Sequence, residues 1–92
     1  MPKIDVQATS ETAFVVTIAD GEDQTTHRVM VPSEFADRLV GKAGSTKELV
    51  RLSFEFLLER EPKESILREF DITVIARYFP EYEDELRDRL RA

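Results

Sequence analysis

The chain has 92 residues, 41% of them hydrophobic, a net charge of −6 and no cysteine. That length supports one core and hence one domain over 1–92, and the missing cysteines exclude disulfides and thiolate metal sites. No run approaches the roughly 20 apolar residues of a membrane span, and Met1-Pro2-Lys3-Ile4-Asp5 has no apolar run like a signal peptide's, so a cytoplasmic protein without a membrane partner is expected.

Taken from the start, the chain first reads as strands. Ile4, Val6 and Ala8 alternate with Asp5 and Gln7. After the polar break Thr9-Ser10-Glu11-Thr12, the β-branched and apolar run from Ala13 to Ala19 predicts a central strand. Asp20-Gly21-Glu22-Asp23-Gln24 has the composition of a turn, and the next run sets His27, Val29 and Val31 on one face and Thr26, Arg28 and Met30 on the other. A three-stranded antiparallel meander over 1–31 follows.

The remainder, 32–92, reads as four or five helices. Pro32 stops the strand, Ser33 is placed to cap a short helix carrying Phe35, Ala36, Leu39 and Val40, and Gly41 ends it. Ser45-Thr46-Lys47-Glu48 has the spacing of a capping box and predicts a helix over 46–60. Helical spacing puts Leu49, Leu52 and Phe56 in one arc of it and Val50, Phe54, Leu57 and Leu58 in another, leaving Glu48, Arg51, Glu55 and Glu59 as a polar stripe. An arc that wide exceeds what one sheet face covers, so the helix is either central to the domain or shared with a second subunit; the second arc is expected at a homodimer interface. Pro62 is then expected to open a short helix with Ile66, Leu67 and Phe70, and Asp71 to cap another with Ile72, Ile75, Ala76 and Phe79. Pro80 starts the last helix, where Glu83 with Arg87 and Glu85 with Arg89 are spaced for ion pairs.

No constellation of catalytic residues stands out. His27 is the sole histidine and has no Gly-x-Ser-x-Gly nucleophile context, so it reads as a strand histidine half-covered by neighbours. Asp20, Glu22 and Asp23 lack the spacing of a calcium loop, and Gly41-Lys42-Ala43-Gly44 lacks the trailing Gly-Lys-Ser/Thr of a phosphate loop. Glu81, Glu83, Asp84 and Glu85 serve a helix dipole rather than acid/base chemistry. No catalytic residue, metal site or cofactor is therefore expected. Tyr78, Phe79 and Tyr82 form an aromatic cluster that reads as core, with a docking surface as the other use. The outline of a helix-turn-helix over 64–79 offers only Thr73 and Arg77 as polar readers.

The strand-helix-helix order over 25–60 resembles the ribbon-helix-helix proteins, a DNA-binding family. The resemblance implies that Thr26, Arg28 and Met30 face the major groove from a two-stranded ribbon, and that Ser45, Thr46 and Lys47 clamp phosphate at the start of the second helix. Charge bears on this. Residues 27–60 hold six bases (Arg28, Arg38, Lys42, Lys47, Arg51, Arg60) against five acids, net +1, whereas 1–26 carry −4 and 61–92 carry −3. Acidic flanks repel nucleic acid and favour a basic protein partner. The sequence thus predicts an α+β, non-enzymatic, homodimeric interaction module with Val50, Phe54, Leu57 and Leu58 at its interface; the alternative is a ribbon-helix-helix regulator or antitoxin, the one reading under which nucleic acid is bound.

Overall fold

The computed structural model describes residues 2–41 and 44–91. Three strands, β1 (Lys3–Ala8), β2 (Ala13–Asp20) and β3 (Asp23–Met30), form the expected antiparallel meander. The β2–β3 turn closes at Asp20↔Asp23, with Gly21 at φ 65°, a left-handed conformation that a residue with a Cβ adopts only under strain. Val6, Phe14, Val16, Ile18 and Val29 point into the core, as do Thr25 and His27. Their strand neighbours look the other way, onto a sheet face that no helix covers among the described residues.

The sheet has a fourth strand that corrects the expected architecture. β4 (Glu69–Asp71) runs parallel to β3 in the register Arg28↔Glu69, Val29↔Phe70 and Met30↔Asp71, so the sheet is mixed, in the order β1-β2-β3-β4. The helix expected after Pro62 amounts to one 3-10 turn, Lys63–Ser65. Ile66 and Phe70 lie one helical turn apart, yet Phe70 and Ile72 also satisfy the two-residue period of a strand. Backbone pairing decides between them: Arg28 N–H donates to Arg68 O at 2.7 Å and Ile72 N–H to Met30 O at 2.9 Å, so the outer edge of β3 is not left unsatisfied.

The four helices among the described residues are α1 (Ser33–Val40), α2 (Thr46–Leu58), α3 (Val74–Tyr78) and α4 (Tyr82–Arg91). Ser33 is the first helical residue rather than the cap; Pro32 holds that position and its carbonyl accepts from Ala36 N–H at 3.1 Å. Gly41, at φ 71°, closes α1 by donating to Asp37 O. Ser45 caps α2 as its spacing predicts, its Oγ accepting from Glu48 N–H at 3.2 Å. The Glu48 carboxylate does not reach back; it pairs with Arg51, which also holds Glu55, so the polar stripe is tied along one face. Asp71 Oδ1 accepts from Thr73 N–H and Oγ1–H at 2.9 and 2.7 Å, turning the chain out of β4 into α3.

α2 lies on the helical side of the sheet, against β1 as well as α1 and α4. Phe54 meets His27 and Phe70 on the sheet side, with ring centroids 5.6 and 5.9 Å away, while Phe56 meets Tyr82 of α4 at 5.3 Å. Leu49, Val50, Phe54 and Phe56 are wholly inaccessible. The width of the apolar arc is therefore used inside one chain, between the sheet below and α1 and α4 beside it.

Candidate interaction surfaces

His27 is fully buried, not half-covered. Its Nδ1 lies 2.8 Å from Leu67 O, which can only accept, so Nδ1 carries the hydrogen; in the neutral ring Nε2 then accepts from the buried Thr25 hydroxyl at 2.9 Å. Burial disfavours the imidazolium and holds the pKa below its ordinary value; the Leu67 carbonyl opposes this and the nearby Arg68 cation adds to it. Both ring nitrogens are thus occupied in a structural bridge between β3 and the segment leading to β4.

The aromatic trio divides. Tyr82 is fully buried and its hydroxyl sits 2.6 Å from Ser53 Oγ, which itself donates to Leu49 O at 2.7 Å, so the tyrosine is the donor to the serine. Burial pushes the phenol pKa well up, against the smaller opposing pull of the Ser53 bond. Phe79 is half-buried against Phe56, and Tyr78 stands 70% exposed.

Of the expected interface residues, Val50 and Phe54 are inaccessible, Leu57 is 4% exposed, and only Leu58 is half-buried. Thr26, Arg28 and Met30 lie on the helix-free face of the sheet as expected. Ser45, Thr46 and Lys47 lie at the start of α2, in the layer on the opposite side, so the structure does not bring the two halves of the nucleic-acid set together. β3 is also an inner strand, flanked by β2 and, over Arg28–Met30, by β4, which leaves that stretch no free edge for a two-fold mate. Lys42 lies outside the described residues. The acids at the start of α4 are engaged by arginines: Arg60 reaches Glu81 and Glu85 at 3.5 and 3.0 Å while its guanidinium covers the Phe56 ring at 3.6 Å, and Arg38 meets Glu83 at 3.2 Å. Both i,i+4 pairs of α4, Glu83 with Arg87 and Glu85 with Arg89, are present.

A cleft that the sequence gives no direct sign of opens between the end of α2, the 66–70 segment and α3. Leu57, Ile66, Leu67, Phe70, Val74 and Tyr78 line it, with Glu61 at its side, and it encloses about 270 Å³. Leu67 and Tyr78 flank it at 50% and 70% exposure. That volume falls just below the roughly 300–1,000 Å³ of small-molecule pockets, which suits one or two apolar side chains of a partner better than a whole cofactor. The cleft lies where β4 and its approach replace the expected helix: the non-helical backbone over 66–68 buries Ile66 and leaves Leu67 exposed.

Among the described residues, no three His, Asp or Glu side chains converge to hold a metal ion, and no helix is long and apolar enough to cross a membrane. No protein-family model, curated protein or solved structure matches this chain.

Proposed function

We propose that the chain is a non-enzymatic protein-interaction module whose docking site is the cleft between Leu67 and Tyr78. The observation that carries this reading is the pair of exposed large apolar side chains on either side of an apolar hollow, a costly arrangement in water unless a partner covers it. The only histidine is engaged at both nitrogens in the core, which further supports a role in binding rather than chemistry. The net charge of −6, with Glu61 at the cleft, favours a basic segment bearing one aromatic or branched side chain as the occupant.

A photo-crosslinking amino acid placed at Tyr78, compared with the same group at the exposed Lys47, tests the reading in living cells. A discrete adduct formed from position 78 and lost in the Leu67→Asp background is expected. Equal, diffuse labelling from both positions would overturn it.

A further inference from the structure

β1 pairs with β2 alone, in unbroken register from Lys3↔Ala19 to Ala8↔Phe14, and its outer edge carries six residues with no bulge. The opposite edge, β4, is only three residues long. A long, regular edge presents a row of unpaired N–H and C=O groups, which is a template for another strand unless something blunts it. Beside this edge, on the helical face, Pro2, Ile4 and Leu58 form a shallow apolar groove bordered by Arg51, Glu55 and Glu59. On the other face Lys3, Asp5 and Gln7 are exposed, and among the described residues neither Lys3 nor Asp5 makes an ion pair.

We propose that β1 is the site at which a second copy of this chain docks, joining the two sheets into one through an antiparallel β1–β1 pair. Residues directly opposite in such a pair share a face, so only registers that match like parity are open. Centring the two-fold axis on Lys3 or on Asp5 sets like charges opposite each other. Centring it on Ile4 sets Lys3 of each copy opposite Asp5 of the other on one face. On the other face it brings the two Ile4 side chains together, with Leu58 of each copy alongside. This register alone satisfies both charges twice and covers the apolar groove, which makes the strand self-complementary. The surface is separate from the cleft at Leu67 and Tyr78 and does not depend on it.

Sedimentation equilibrium of the full chain at tens of micromolar should give a dimer. Asp5→Lys places two like-charged pairs across the axis and should raise the dissociation constant roughly ten-fold, while the swap Lys3→Asp with Asp5→Lys restores opposite charges and should return it to near the starting value. Both positions are exposed strand sites, and circular dichroism checks that the fold is kept. Tyr78→Ala should leave the dimer intact, which separates this surface from the cleft. A monomer at a hundred micromolar, a dimer indifferent to Asp5→Lys, or a swap that fails to restore association would each overturn the proposal.

Discussion

His27 holds Leu67 by a 2.8 Å hydrogen bond across forty residues of chain, and the same ring accepts from Thr25 on its own strand. Burial favours the neutral imidazole there: the Thr25 hydroxyl could turn to accept from a protonated Nε2, but the second proton would put a charge in the core.

Acid should therefore weaken the fold. The folded-state pKa is depressed by burial, so the unfolded chain takes up the proton first. The bridge contributes its full stability above the ordinary histidine value of about 6.5, and that contribution falls as pH drops through 6.5 toward the lower folded value. Chemical denaturation at stepped pH should show the loss in the native chain, and the loss should be largely absent in His27→Gln, whose amide donates to Leu67 without titrating. His27→Ala should cost about 2–4 kcal/mol at neutral pH, from the cavity and the orphaned carbonyl together.

The direction of the Tyr82–Ser53–Leu49 chain predicts unequal costs for its two ends. Tyr82→Phe removes the phenol but leaves Ser53 bonded to Leu49, and should cost about 1 kcal/mol. Ser53→Ala strands a buried phenolic donor and should cost more, about 1–3 kcal/mol. Thermal unfolding of the two variants checks the order; equal losses would mean that the hydroxyl finds another acceptor.

Phe54 lies wholly inside one chain, between His27 and Phe70. Phe54→Ala should lower stability by about 3–5 kcal/mol, and by the same amount in dilute and concentrated protein. A decrement that shrinks with dilution would instead place this residue between subunits.

Duplex DNA should not be retained in a gel-shift series, even at low salt. Arg28 projects from an inner strand beside Glu69 and Asp71, on a sheet face remote from Ser45 and Lys47. Sequence-selective retention that Arg28→Ala abolishes would restore the ribbon-helix-helix reading.

Local chemistry made part of this architecture legible. The Ser45 cap, the Gly21 and Gly41 conformations and the ion pairs of α4 are each decided by residues within one turn of each other. The 62–79 segment was not legible for the opposite reason: Ile66, Phe70 and Ile72 satisfy two periodicities, and the choice rests on the edge of β3, a distant partner. The same ignorance of distant cover left the second arc of α2 open to two uses, inside its own domain or against another subunit. It also separated Tyr78 from Tyr82: both are aromatic and one turn apart in spacing, but the chain breaks between α3 and α4 and aims them differently. The cleft, assembled from three separate segments, has no local signature at all.

The parallel pairing of β3 with β4 also carries a kinetic consequence. The β1–β2–β3 meander closes through neighbouring residues, whereas Arg28 meets Glu69 from about forty residues further along the chain, beyond α1 and α2. Closing a loop of that length carries an entropic cost, so the strand-and-helix unit of β4 and α3 is expected to dock late and to detach early. The Ile72 amide, bonded to Met30, should then exchange its hydrogen with solvent well before the amides of β2 do. If that exchange is seen, the walls of the cleft that hold Leu67 and Tyr78 belong to a part of the molecule that opens early, and a partner seated there would bind and brace the fold in the same step.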